Sequence, residues 1–169
     1  MKTHLQNLAA SSLLTLLASC TVSVENEVST DSKAHFEKEK AAIIATLNNE
    51  TKAAFTRDYE AWKEKWVHDP SIAKTYINFS DGTSSESIGW KKIDDFLRTY
   101  IEYHPEPDPL PELVEDIALR LYGDGAFVVY EQVDPNRGRK RETRLMEKVD
   151  GQWKIAGMHT TIYGETEPH

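Results

Sequence analysis

The chain has 169 residues with 20 Lys or Arg against 28 Asp or Glu, and a net charge of −8 excludes a nucleic-acid surface as its main business. With 39% hydrophobic and 28% charged residues and 4 Trp, 7 Tyr and 5 Phe, the composition is that of one packed domain, not a disordered chain or two separate cores. No self-similar period runs along it, which excludes a repeat architecture.

The first residues read as an export signal. Lys2 supplies a positive start, Leu5 to Leu17 is mostly small or apolar, and Leu17-Ala18-Ser19-Cys20 closes the segment with small residues before the single cysteine. The run is shorter and more broken than the roughly 20 apolar residues a bilayer span requires. The pattern resembles a bacterial lipobox. That resemblance implies cleavage after residue 19 and a lipid on Cys20, which anchors the protein to a membrane of the cell envelope, facing the periplasm or the outside. Loss of Lys2 leaves 19 basic against 28 acidic residues, so the acyl chains and not surface charge must hold the membrane. Residues 20–31 read as the lipidated cysteine and a tether, residues 32–165 as the folded domain, and residues 166–169 as a tail.

From Asp31-Ser32, a candidate cap, apolar residues recur at Phe36, Ile43, Ile44, Leu47, Ala54 and Phe55, which predicts one long amphipathic helix. A second helix is predicted over Asp58 to Val67, with an aromatic stripe of Tyr59, Trp62 and Trp66. Ile72 to Phe79 follows as a short strand, Ser80-Asp81-Gly82 as a turn, and Ser85 or Ser87 as the cap of a third helix faced by Ile93, Phe96, Leu97, Tyr100 and Ile101. Prolines at 105, 107, 109 and 111 forbid a helix and carry the chain onward in extended form. Four strand-like runs then follow: Leu113 to Leu121, Gly125 to Val133, Arg139 to Val149 and Gln152 to Tyr163. They predict an antiparallel meander and an α+β domain in which a curved sheet wraps the helices.

Arg57-Asp58-Tyr59-Glu60-Ala61-Trp62 after a long helix, Glu142-Thr143-Arg144-Leu145, and Asp150-Gly151-Gln152-Trp153-Lys154-Ile155 running to His159-Thr160-Thr161 together resemble the NTF2-like (cystatin-like) superfamily. The SnoaL-like group, which includes the association domain of calcium/calmodulin-dependent kinase, has the nearest pattern. The resemblance spans Lys33 to Tyr163 and implies a cone of helices wrapped by a curved antiparallel sheet, with a pocket at its wide end. Members include isomerases, dehydratases, cyclases and non-catalytic binding or dimerising domains, so the fold alone does not choose among activities.

Turn chemistry gives the last hairpin a register of its own. If Asp150-Gly151 is a two-residue turn, Met146 faces Ile155, Arg144 faces Gly157 and Glu142 faces His159, and alternation places Glu142, Arg144, Met146, Trp153, Ile155 and His159 on one face. One reading makes Arg144 an anion clamp with His159 as a second donor and Glu142 orienting the imidazole. The other makes them an exposed ladder of cross-strand charges. The resemblance adds that Arg144 matches a pocket-lining position, that Trp62 occupies a helix position facing the pocket, and that a basic residue stands near Gln132 in the kinase domain. Tyr130 shares the face of Gln132 and joins the candidate ligand-binding set of Arg144, Trp62, Tyr130, Gln132 and His159.

Six dispersed histidines, a lipid-bound cysteine and the absence of metal-binding, phosphate-loop or nucleophile-elbow motifs predict neither a metal nor another cofactor. Asp116 is expected in solvent and Asp58 as a helix cap. Three readings therefore stand. The first is a lipid-anchored pocket domain, homodimeric through its sheet, that binds a small anionic or aromatic molecule. The second is an isomerase, dehydratase or cyclase using His159 and Glu142 in acid–base chemistry. The third is a structural or partner-binding lipoprotein.

Overall fold

The computed structural model of the chain describes residues 30–164. The expected signal segment 1–19, Cys20 with the tether as far as residue 29, and residues 165–169 lie outside that range.

Helix α1 (Thr30–Thr56) is rich in Ala, Glu and Lys, all good helix formers; Asp31 and Ser32, the expected cap, lie inside its first turn, where the Asp31 carboxylate complements the helix dipole. Its spacing brings Glu39, Ile43, Leu47 and Glu50 onto one buried face, so two carboxylates sit within the apolar stripe. The helix ends on Arg57, whose φ of 66° is left-handed. The Asp58 amide bonds back to the Ala53 carbonyl at 2.9 Å and the Arg57 amide to Ala54 at 3.3 Å, a Schellman-type end that a glycine would enter with less strain. Arg57 takes that place because its guanidinium is used. Nη1 donates to the Ala54 carbonyl at 3.0 Å, Nε to the His104 carbonyl at 2.8 Å, and Nη2 to Asp108 at 2.8 Å.

Helix α2 (Tyr59–Lys63) is capped by Asp58, whose carboxylate accepts from the Ala61 amide at 3.0 Å. It is shorter than the expected Asp58 to Val67. Beyond it the backbone is captured by the sheet: the Ile155 amide donates to the Lys65 carbonyl at 2.8 Å and the Val67 amide to the Ile155 carbonyl at 2.9 Å. Two ladder bonds replace the helical ones.

Strand β1 (Ala73–Asn78) turns into β2 (Thr83–Ile88) and helix α3 (Trp90–Tyr103) follows. The expected capping serines, Ser85 and Ser87, are instead strand residues paired with Tyr76 and Lys74. Gly89 caps α3, at φ 86° and with a virtual Cβ only 3.2 Å from the Pro70 carbonyl oxygen, so conformation and space both call for glycine. The proline segment is extended, and β3 (Ala118–Tyr122) starts later than the predicted Leu113. Then come β4 (Gly125–Asp134), β5 (Gly138–Val149) and β6 (Gln152–Gly164).

The sheet has six strands in the order β2-β1-β6-β5-β4-β3, antiparallel except where β1 runs parallel to β6. The late meander is as expected; the early hairpin joins it through the long crossover that a parallel neighbour requires. The helices cover one face, where Ile43, Leu47, Trp62, Trp66, Ile93, Val128, Met146 and Ile155 form the core. Each fully buried side chain of this size contributes about 1.5–3 kcal/mol. Phe127, Val133 and Leu145 stand exposed on the opposite face.

Asp150 and Gly151 both have positive φ, the two-residue turn expected, and Met146 pairs with Ile155 as the turn dictates. The register then slips by one. A bulge at Ala156 sets Leu145 opposite Gly157, Arg144 opposite Met158, Thr143 opposite His159 and Glu142 opposite Thr160. Without it, Gly157, His159 and Thr161 would face the helices. With it, Met158, Thr160 and Ile162 do, and all three are buried. Burial of two more apolar side chains favours the slipped register, since a one-residue shift moves every side chain to the other face.

Candidate functional site

The concave face of the sheet, the end of α1, α2 and α3 enclose a cavity of about 300 Å3. Its wall is apolar and aromatic at Phe55, Trp62, Tyr76, Phe96, Met158 and Ile162. Five basic side chains (Arg57, Lys74, Arg137, Lys140 and Arg144) line it against three acidic ones (Glu50, Asp108 and Glu142), a cationic excess inside a chain of net charge −8.

Glu142 is the hub of its polar side. It is 1% exposed and has both oxygens occupied. Oε2 accepts from Arg144 Nη1 at 2.5 Å and from the Thr160 hydroxyl at 2.6 Å, and Oε1 pairs with Lys140 Nζ at 3.1 Å. Burial pushes its carboxyl up, but the Arg144 and Lys140 charges and these hydrogen bonds outweigh burial and hold it below the usual carboxylate range. Arg144, 3% exposed, spends one nitrogen on Glu142 and is held firmly protonated. Its Nε is buried and has no hydrogen-bond partner among the described residues. An unpartnered buried guanidinium N–H is a costly feature.

Lys74 is the second buried cation of the cavity. It projects inward from β1 and is 5% exposed, and among the described residues its ammonium has neither an ion pair nor a hydrogen bond. Four ring faces surround it, with Nζ 4.7 Å from the centroid of Phe96, 5.3 Å from Tyr76, 5.7 Å from Trp62 and 5.9 Å from Trp66. Burial pushes its pKa down to about 8, with Glu50 the strongest opposing charge. Glu50 itself accepts from the indole N–H of Trp62 at 2.8 Å and of Trp66 at 3.3 Å, which fixes both rings. Tyr76, on the same strand face, is pushed up to about 12 by burial and stays a phenol.

Of the residues the sequence singled out, Arg144, Glu142 and Trp62 line the cavity. Tyr130 is buried on the same face beside Arg144, whose guanidinium carbon is 5.9 Å from the ring centroid, but it is not among the residues that line the cavity. Gln132 is occupied elsewhere, donating to the Glu112 carbonyl at 2.7 Å. His159 is a correction. The bulge at Ala156 turns it to the outer face opposite Thr143, so the expected Glu142–His159 pair does not form and Thr160 takes the histidine's place against the carboxylate. Gly157 likewise faces Leu145, not Arg144. Asp116 is in solvent, paired with Lys40 at 2.5 Å.

Glu50 and Lys74 were missed, and each carried a signal. Glu50 stands three residues after Leu47 and seven after Ile43 on the helix stripe, and Lys74 alternates with Ile72 and Tyr76 on the strand face.

A sheet of this order, curved over three helices with a cavity between, defines the NTF2-like or cystatin-like fold. The chain is similar to a cystatin-like fold protein from Burkholderia xenovorans, with 17% identity over 76% of this chain and 95% of that one, at a TM-score of 0.57. It is also similar to an NTF2-like protein of unknown function from Pseudomonas putida, at 14% identity over 78% and 98% and a TM-score of 0.58. A third, from Shewanella oneidensis, has 22% identity over 73% and 98% and a TM-score of 0.52. At these identities the likeness establishes the fold and nothing of the chemistry. No family model and no curated protein matches the sequence.

Proposed function

We propose that this protein is a binding domain that holds a small carboxylate in the cone, exported and anchored to a bacterial membrane through lipid on Cys20. One observation carries the ligand class: two buried cations, Arg144 and Lys74, the latter with no counter-ion among the described residues, line one aromatic-walled cavity. A carboxylate supplies the counter-charge that Lys74 lacks, and charge-assisted bonds to a guanidinium such as that of Arg144 are among the strongest available. The walls of Trp62, Tyr76 and Phe96 suit an apolar or aromatic body on that acid.

The acid–base enzyme reading loses its pair, because Glu142 is saturated by Arg144, Lys140 and Thr160 and His159 lies on the other face. The outer sheet face, with Phe127, Val133 and Leu145 exposed, is the surface we assign to a homodimer. Export and anchoring rest on the lipobox resemblance.

Calorimetric titration of the full-length protein in mild detergent with aromatic and aliphatic carboxylates, and with their uncharged amides, tests the ligand class. The acids bind, the amides do not, and Arg144→Gln weakens the acids by about tenfold to a hundredfold. Equal binding of amides and acids overturns the reading. Cys20→Ser moves the protein from the membrane fraction to the soluble one. Sedimentation of Leu145→Glu, monomeric where the native chain is dimeric, tests the interface.

A further inference from the structure

The carboxylate clamp explains Arg144 but asks nothing of Lys74 that a second arginine would not do better. A lysine in an aromatic box, with no carboxylate in pairing distance among the described residues, differs from an anchoring cation in one respect: it can lose its proton inside the cavity and present a nucleophilic amine. We propose that Lys74 captures carbonyl compounds, forming a reversible imine with the aldehyde or keto carbon of an oxo acid whose carboxylate is held by Arg144. This rests on the carboxylate reading above and adds the ligand's second functional group.

The step is balanced with no oxidant or reductant. The amine lone pair attacks the carbonyl carbon, a carbon–nitrogen bond forms, and the carbonyl oxygen departs as water with the two hydrogens of the amine nitrogen. The charges acting on the amine come from every side: Glu50 of α1, Glu142 and Arg144 of β5, and Arg137 of the turn between β4 and β5. They leave it with burial as the dominant influence and a pKa of about 8. About 10% of Lys74 is then free amine at pH 7, against about 0.03% of an ordinary lysine.

The test uses full-length protein in mild detergent with phenylpyruvate as probe, in the presence of cyanoborohydride, which reduces any imine to a stable amine. Peptide mass mapping reads the site. The expected result is labelling of Lys74 at least about tenfold above any other lysine, following its larger neutral fraction. Labelling rises with a midpoint near pH 8 and is suppressed by phenyllactate, which has the same carboxylate and ring but no carbonyl. Lys74→Arg, which has no primary amine at this position, gives no adduct there. Since suppression by phenyllactate is measured on the native chain, the result stands even if a variant misfolds. Phenyllactate binding with no preferential label on Lys74 overturns the imine and leaves the carboxylate reading intact. Neither binding nor labelling overturns both, and labelling spread evenly over the lysines overturns the imine.

Discussion

An ammonium held in a protein interior without a counter-ion destabilises the fold that holds it, and Lys74 allows the size of that effect to be worked out. The fall of its pKa from 10.5 to about 8 corresponds to about 3 kcal/mol of penalty on the charged form. Contact with ring faces returns part of this, at about 0.5–2 kcal/mol per well-placed cation. Methionine fills nearly the same volume with no charge, so Lys74→Met is expected to stabilise the protein by about 1–3 kcal/mol at pH 7. The pH dependence has a definite sign. Below about pH 8 the amine is protonated in both folded and unfolded chains, and the penalty is present in full. Between about 8 and 10.5 the folded chain has released the proton while the unfolded chain still holds it, so native stability rises with pH. The advantage of Lys74→Met therefore shrinks across that window, while other lysines and tyrosines cancel in the difference. Urea denaturation followed by the fluorescence of the buried Trp62, Trp66 and Trp153 measures it, at pH 7 and at pH 10. A methionine variant less stable than the native chain at pH 7, or an advantage that does not fall by pH 10, would refute the unpaired cation.

Glu142→Gln leaves Arg144 and Lys140 buried without their shared counter-charge, and a loss of about 3–5 kcal/mol in urea denaturation is expected. Because the Glu142 carboxyl is held below its ordinary 4.5, its stabilisation is present above that pH and lost as pH falls through the folded value; the glutamine variant should show less of this acid loss. His159→Ala is expected to change stability by no more than about 0.5 kcal/mol and carboxylate affinity not at all. A tenfold loss of affinity there would restore the unslipped register. Gly89→Ala, forced into a positive φ beside the Pro70 carbonyl, should lower stability by about 1–3 kcal/mol in the same assay.

Local chemistry made a good part of this molecule legible in the sequence. The α1 stripe, the Asp58 cap, the extended proline segment, the Asp150-Gly151 turn and the late meander each follow from residues within a few positions of one another, where helical and strand periods and turn preferences act. Arg144 and Glu142 could be placed on one face for the same reason. Tertiary structure decided what depends on partners far along the chain. The α2 helix stops early because Ile155 offers its backbone to Lys65 and Val67. Ser85 and Ser87 lie in a strand because β1 is there to pair with, and the Ala156 bulge exists because Met158 and Ile162 gain more by burial than an unbroken ladder would. That single slip exchanged His159 for Thr160 against Glu142. Glu50 and Lys74, charged residues on apolar faces, acquire meaning only when helix and sheet close around them: a turn's preference reaches two or three residue pairs, while the cavity joins side chains more than ninety residues apart.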